Sequence, residues 1–144
     1  MSSDRRQRAL AILQRLKDRK VEELGQRIAE TRAQETQAQA SLEDLTARSQ
    51  EAVAAATPET YPFLSDYLTA VARQKALLQV RLDQLAEDSK QLARELRASF
   101  VDAKTNDTLL EKSAEDIQRR NDLAEEAHMS EAAISAFIRR RRPF

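Results

Sequence analysis

The side chains that most often perform catalysis or hold metals are sparse in this chain of 144 residues. Cysteine is absent, which excludes thiolate nucleophiles, thiolate metal sites and disulfides. His128 is the only histidine, and the carboxylates around it show no metal-ligand spacing, so it is predicted to be solvated on a helix face. Adjacent acids such as Glu125 and Glu126, or Glu22 and Glu23, point in different directions on a helix. The sequence therefore predicts no catalytic site, no metal site and no cofactor.

Composition and motifs point instead to long helices. There is no Gly-rich phosphate loop, nucleophile elbow or zinc signature. The chain has one glycine, three prolines and no tryptophan, and 33% of its residues are charged. No arginine-rich leader with an apolar core and no run of 18 apolar residues occurs, so we expect a cytosolic protein that neither is secreted nor spans a membrane.

Charge is distributed unevenly although the formal net charge is zero. Residues 1–20 carry seven Lys or Arg against two Asp or Glu, residues 139–142 are all arginine, and the middle is acidic. A nucleic-acid-binding stripe would need basic residues throughout, so no nucleic acid is expected as a partner. The basic ends favour acidic partners there. Arg139 to Arg142 with Phe144 could contact anionic lipid, nucleic acid or an acidic protein, or form a solvated tail.

The first half of the chain keeps the 3,4 spacing of a coiled-coil seam. Ala9, Leu10, Leu13 and Leu16 are predicted to extend its apolar face toward the N-terminus. Because some seam residues are small or polar, packing at the centre of this first helix should be weak. The predicted seam positions are Val21, Leu24, Ile28, Thr31, Glu35, Ala38, Leu42, Leu45, Ser49 and Ala52.

A turn bracketed by Pro58 and Pro62 separates this helix from the next. Thr57 could cap the second helix with Pro58 at its first position, or Pro62 could open the helix slightly later. We predict helix one over about residues 4–56, a turn over about 57–62 and helix two over about 62–140, all in one coiled-coil domain. Three of the six aromatic residues, Tyr61, Phe63 and Tyr67, crowd this turn, either as a staple against Val53 and nearby alanines or as a partner-binding cluster.

The second helix keeps the 3,4 spacing for longer, which predicts an unequal antiparallel hairpin. With the turn near residue 60, residue 10 should lie beside about 109 and residue 28 beside about 91, so residues beyond about 115 should lack an intramolecular partner. Helix-disfavouring residues at Thr105–Thr108 predict a kink or hinge. The unpaired end carries apolar residues at helical spacing that should await a partner, pack in a dimer or fray. They are Ile117, Leu123, Ala124, Ala127, Ile134, Phe137 and Ile138.

Three segments in this order resemble the flagellar FliJ family of the bacterial type III export apparatus, with the injectisome YscO proteins as distant relatives. They are ALAILQRLKDRKVEELGQRIAE, YPFLSDYLTAVARQKALLQ after the turn, and LLEKSAEDIQRRNDLAEEAHMSEAAI near the end. The closing IRRRRPF departs from the mixed polar tail expected of the family. The resemblance implies a non-enzymatic antiparallel coiled coil that binds a hexameric export ATPase, the large cytoplasmic domain of the export gate and substrate chaperones. It also implies a cytoplasmic location with peripheral association to the inner-membrane apparatus.

Two partner surfaces follow from the resemblance together with the spacing. The predicted ATPase surface comprises Arg5, Arg6, Arg8, Leu13, Ile117, Leu123, Ile134, Phe137 and Ile138. The predicted gate surface comprises Leu42, Leu45, Tyr61, Phe63, Tyr67, Val71 and Gln74.

Three alternatives remain open: the injectisome counterpart, a generic homodimeric coiled-coil scaffold, and a membrane-surface protein held by Arg139 to Arg142. An extended parallel dimer would place residue 28 beside its own copy instead of beside about residue 91.

Overall fold

Two long helices account for almost all of the chain in the computed structural model, which describes residues 2–141. Helix α1 spans Ser2–Ala54 and helix α2 spans Tyr61–Arg141, and no strand occurs among the described residues. The two helices pack against each other, so the predicted all-α helical hairpin with a longer second helix is confirmed. None of the described helices has a stretch both long and apolar enough to cross a bilayer. Arg142 and Phe144, part of the predicted basic tail, lie outside the described residues.

Two threonines form the turn between the helices. The Thr60 backbone N–H donates to the Thr57 carbonyl at 2.9 Å, and the Thr60 hydroxyl accepts from the Thr57 N–H at 2.9 Å. The Thr60 carbonyl then accepts the Leu64 N–H at 2.9 Å, which is the first helical bond of α2. Of the two starts that the sequence left open, the later one occurs, with Pro62 in the first turn of α2, where its missing N–H removes no helical bond.

Residues Lys20–Ser99 form one of two compact units, here called the hairpin unit. Its centre is a cluster of Leu24, Ile28 and Leu92, with the half-buried Leu96 packed against them. This contact is antiparallel and agrees with the predicted neighbourhood of residues 28 and 91. Nearer the turn, the Arg81 guanidinium donates to the Gln34 side chain at 3.3 Å. Each such buried aliphatic side chain contributes about 1.5–3 kcal/mol relative to an exposed one, so these layers hold the two helices together.

The predicted seam is confirmed in the hairpin unit, because every position that the 3,4 spacing selects in α1 from Val21 to Ala52 is buried or half-buried. Its middle is the least apolar part. Glu35 leaves its Oε1 atom buried without a hydrogen-bond partner. Thr31 bonds only the Arg27 carbonyl of its own helix, at 2.9 Å. The layer around Glu35 therefore adds little favourable contact between the helices.

Residues 2–19 of α1 and 100–141 of α2 belong to the second compact unit, here called the terminal unit. The α1 positions that face α2 here are Ser3, Gln7, Leu10, Gln14 and Lys17, all half-buried. The sequence placed Ala9, Leu13 and Leu16 on this apolar face, and that prediction is wrong: Leu13 is 43% and Leu16 57% exposed. The reason is the rotational position of these residues around the axis of α1. The 3,4 register of Val21 and Leu24 runs back through the continuous helix to Lys17 and Gln14, and residues 13 and 16 fall outside it.

Asn106 supplies the central interhelical contact of the terminal unit. It is only 5% exposed, and its side-chain amide donates to the Leu10 carbonyl at 3.0 Å and to the Gln14 side-chain oxygen at 2.9 Å. Asn106 therefore lies opposite the turn between residues 10 and 14, which agrees with the predicted placement of residue 10 beside about residue 109. A buried Asn whose amide is satisfied across a seam favours one register over its neighbours.

The predicted kink or hinge at Thr105–Thr108 does not interrupt α2, which is helical on both sides of these residues and through them. The hydroxyls of Thr105 and Thr108 donate to the carbonyls of Val101 and Lys104, four residues earlier. These bonds keep the hydroxyls within the helix, while Asn106 is held across the seam.

Replacement of Glu35 by leucine is expected to raise the free energy of unfolding by about 1–2 kcal/mol, because it removes an unpaired buried oxygen and adds apolar contact. Urea or thermal unfolding followed by circular dichroism measures this change. Glu30→Leu, on the exposed side of the same helix, is the matched control and should shift stability by less than about 0.5 kcal/mol. Equal shifts in the two variants would show that the Glu35 layer is not a weak point.

Truncation of Asn106 to alanine is expected to lower the free energy of unfolding by about 1–3 kcal/mol, because two interhelical hydrogen bonds are lost in a buried layer. Asn121→Ala, at an exposed position of the same helix, controls for the helix preference of alanine. Denaturant unfolding of both variants provides the comparison. A loss no larger in Asn106→Ala than in Asn121→Ala would contradict a structural role for the amide.

Candidate partner-binding surfaces

The described residues offer no arrangement suited to metal chemistry. Across 2–141, no three His, Asp or Glu side chains come close enough together to hold a metal ion. His128 lies exposed on α2. The grooves along the seams of the two units are open and shallow, for example one of about 450 Å³ in the hairpin unit that Glu35 and Leu82 help to line. Candidate sites must therefore be sought on exposed surfaces.

The end of α2 exposes most of the apolar residues that the sequence placed there. Arg120 donates to the Ser3 hydroxyl, close to the beginning of α1. Beyond it, residues 121–141, here called the overhang, remain helical and are exposed except for the half-buried Ala136. Ile117 is half-buried and lines a groove with Ser3, so it belongs to the seam, and the predicted boundary near 115 moves to about 120. The overhang is about 30 Å long at 1.5 Å per residue.

Four large apolar side chains of the overhang share one face. At about 100° per residue, Leu123, Ile134, Phe137 and Ile138 fall within an arc of roughly 100°. Their exposed fractions lie between 50% and 62%. At the end of this stripe the Arg141 guanidinium sits 4.9 Å from the centre of the Phe137 ring, a cation–π contact. Exposed apolar residues that share one face of an unpaired helix are typical of a helix that docks in a groove or against another helix.

The aromatic cluster at the turn is also exposed. Phe63 is 75% exposed, and Tyr61, Tyr67 and Val53 also leave much of their surface in solvent. Phe63 and Tyr67 border a shallow groove of about 230 Å³ whose other lining residues include Ala52, Ala55 and Ala56. The cluster thus touches the alanines at the end of α1, as a staple would, and still presents aromatic surface to a partner.

The predicted gate residues outside the aromatic cluster differ in exposure. Val71 is a seam residue, 5% exposed, and its surface is already used for packing between the helices. Leu42 and Leu45 are half-buried, and Gln74 is exposed. Sequence reasoning missed two exposed apolar residues nearby, Leu77 and Val80. The sequence did contain a signal for these two residues. Both fall outside the 3,4 seam of Lys75, Leu78 and Leu82, and positions outside the seam of a solvated coiled coil are normally polar.

The basic N-terminal residues Arg5, Arg6 and Arg8 are exposed, as is Leu13. Arg6 helps to line the groove that also includes Ile117 and Arg120. Another basic residue of this segment, Lys17, is half-buried and forms an ion pair with the exposed Asp102 at the edge of the seam. Sequence reasoning also missed the exposed Ile12, which lies outside the seam like Leu13 and Leu16.

Hydrogen exchange should separate the overhang from the paired parts of the chain. Amides of residues 121–141 are expected to exchange close to the rate of an isolated helix, because no second helix packs there, while those of residues 82–96 should be strongly protected. Mass spectrometry of the full-length chain at several concentrations measures both. Protection of the overhang equal to that of residues 82–96, rising with concentration, would indicate self-association through this stripe.

A family model described as the flagellar FliJ protein matches residues 6–142 of the chain. No curated protein and no solved structure matches the chain significantly.

Proposed function

The chain belongs to the flagellar FliJ family, which makes it a component of the bacterial flagellar protein export apparatus, and we propose that it is the coiled-coil stalk and escort that binds the export ATPase ring and the export gate. The main support for this proposal is the structure of the overhang. It is a continuous helix with an exposed apolar stripe, its last turn carries arginines, and no second helix among the described residues packs against it. These are the properties required of a segment that inserts into another protein.

The ATPase contact in this proposal is centred on Leu123, Ile134, Phe137 and Ile138. Bulky side chains that are half exposed in the free protein provide most of the binding energy when a partner pocket desolvates them. Arg139 to Arg141 would complement an acidic ring lumen and speed association. Ile117, half-buried in the seam, would support the overhang without contacting the ring. It stays a prediction that the ATPase contact also includes the N-terminal residues Arg5, Arg6, Arg8 and Leu13.

The gate contact in this proposal lies at the other set of exposed apolar residues, in the hairpin unit. Phe63, Tyr61 and Tyr67 offer aromatic anchors, and Leu77 and Val80 extend the apolar surface along α2. Val71 would hold the helices together beneath this surface. Substrate chaperones would be further partners, and the protein would act in the cytoplasm, peripherally associated with the inner membrane through the apparatus.

The mechanism in this proposal is binding alone, with no bond made or broken by the chain. A stalk that binds the assembled ring more tightly than free ATPase subunits shifts the assembly equilibrium toward the ring by its differential affinity. Because ring ATPases hydrolyse ATP between subunits, a larger assembled fraction appears as a higher rate. Separate gate and ATPase surfaces would let the same chain link the two partners.

The proposal predicts that the purified chain, at micromolar concentration, raises both hexamer formation and ATP hydrolysis of the cognate export ATPase. The double variant Phe137→Ala/Ile138→Ala should require at least about 10-fold more protein for the same effect, because two anchors are lost. Leu77→Ala/Val80→Ala, an equally exposed apolar pair in the hairpin unit, is the matched control and should stimulate like the parent chain.

Light scattering and phosphate release measure the two responses. Absence of any stimulation by the parent chain, or equal loss in both double variants, would contradict the ATPase contact at the overhang. Binding of Phe137→Ala/Ile138→Ala to the isolated gate domain should remain unchanged, which separates a lost site from a misfolded chain.

A further inference from the structure

The first helical turns of α1 place several polar residues in the seam beside Leu10 and several aliphatic residues outside it. Gln7, Gln14 and Lys17 lie in the seam against α2 and are half-buried. Ile12 and Leu16 lie on the opposite side and are exposed, Ile12 by 59%, and the exposed Leu13 lies at the edge between the two sides. A helix that only paired with α2 would place its aliphatic residues in the seam. The outward apolar residues therefore serve something other than the hairpin.

Four arginines surround these apolar side chains. Arg5, Arg8, Arg15 and Arg19 all lie within about 60° of Ile12 around the helix axis, at roughly 100° per residue. All four are exposed. Among the described residues, the ion pairs and side-chain hydrogen bonds engage other basic residues, such as Lys17, and none of these four.

Within residues 1–20 the acidic residues lie outside the arc of the four arginines, and the exposed Glu23, about 20° from Ile12 and one turn after Arg19, marks the end of this side of the helix. Asp4 and Asp18, the two acids of the segment, are rotated from Ile12 by about 80° and 120°. Asp18 in addition accepts a hydrogen bond from Gln14, at 3.0 Å. The outer face, defined as Arg5, Arg8, Ile12, Leu13, Arg15, Leu16 and Arg19, thus presents positive charge and apolar surface together over about 20 Å of helix.

We propose that this outer face docks on an anionic phospholipid surface. Such a surface provides negative charge and an apolar interior at the same place, which is what the outer face complements. It also needs no concave match, whereas a protein partner must offer a pocket for each bulky anchor. Ile12, Leu13 and Leu16 enter the boundary between headgroups and acyl chains, and the four guanidinium groups lie at the level of the phosphates.

The opposite side of residues 5–19 stays packed against α2 and keeps the segment helical. The Leu10 carbonyl and Gln14 accept from Asn106, and Lys17 pairs with Asp102, so residues 5–19 stay helical against α2 while the outer face meets lipid. Ordering of the segment is complete before binding, which lowers the entropy lost on docking. This proposal does not rest on the ATPase contact of the overhang. A ring that covered Arg5, Arg8 and Leu13 would displace lipid, so the two partners would exclude each other there.

Flotation of the full-length chain with vesicles tests the proposal. Vesicles of phosphatidylcholine with about 30% phosphatidylglycerol should bind the chain at low salt and release it as salt rises, and vesicles of phosphatidylcholine alone should bind little. The variant Arg5→Gln/Arg8→Gln/Arg15→Gln/Arg19→Gln should lower the partition coefficient by roughly 100-fold or more. Ile12→Gln/Leu16→Gln should lower it by on the order of 10-fold.

Two controls separate this face from other charged and apolar surfaces. Arg139→Gln/Arg140→Gln/Arg141→Gln removes three arginines from the overhang, and Leu77→Gln/Val80→Gln removes an exposed apolar pair from α2. Both should bind the anionic vesicles like the parent chain. Circular dichroism should show parent-like helicity in all four variants, since every changed side chain faces solvent.

Absence of binding to the anionic vesicles at low salt would overturn the proposal. So would loss of binding in Arg139→Gln/Arg140→Gln/Arg141→Gln with retention in the four-arginine variant, which would assign lipid binding to the overhang. Capture of the outer face by the acidic ATPase ring in the absence of any vesicle binding would also overturn it, and would identify a protein as the partner. The vesicle assay contains no ATPase, so its result and that of the stimulation assay are independent.

Discussion

The phase of the interhelical seam is the constraint on which the rest of the structure depends. Leu24, Ile28 and Leu92 pack together in the hairpin unit and fix which side of each helix faces the other. An α-helix has no freedom to rotate one segment independently of the next without breaking hydrogen bonds. Once the phase is set at these residues, the neighbouring side chains of the hairpin unit are assigned to the seam or to solvent. Exposed apolar residues of that unit, such as Leu77 and Phe63, are consequences of that assignment.

The two compact units use the seam differently. In the hairpin unit the layers are mainly aliphatic and supply most of the apolar burial, with Glu35 as an unpaired exception. In the terminal unit Asn106 and Gln14 pair in the seam beside Leu10 and Ala103, and Lys17 pairs with the exposed Asp102 at its edge. Aliphatic layers stabilise strongly but tolerate shifts in register, whereas a satisfied buried amide contributes less energy and more specificity. The polar contacts of the terminal unit therefore do more to fix the register of its two helices than to stabilise their packing.

Apolar residues that the seam does not use form the surfaces that we propose for partner binding. A two-helix fold buries little surface for its length, so any aliphatic side chain outside the seam remains exposed and adds a solubility cost. The stripe of the overhang, the aromatic cluster at the turn and the outer face of residues 5–19 are three such surfaces. Each differs in charge and geometry: the first is a free helix ending in arginines, the second is uncharged and aromatic, and the third is apolar with four arginines around it. These differences suit three kinds of partner.

The sequence by itself determined the two helices, the turn between them and the seam from Val21 onward, because helix-breaking prolines and 3,4 spacing are local properties of the chain. It also predicted an unpaired end with Leu123, Ile134, Phe137 and Ile138, since the unequal arms follow from the position of the turn. Only the tertiary structure decided which side of residues 2–19 is buried, because apolar residues lie on two sides there and the choice depends on α2. The same holds for Asn106, whose helix-disfavouring character suggested a hinge, and for Val71, whose burial depends on its neighbour across the seam. Spacing describes one helix at a time, and contact between two helices also requires their register and relative phase.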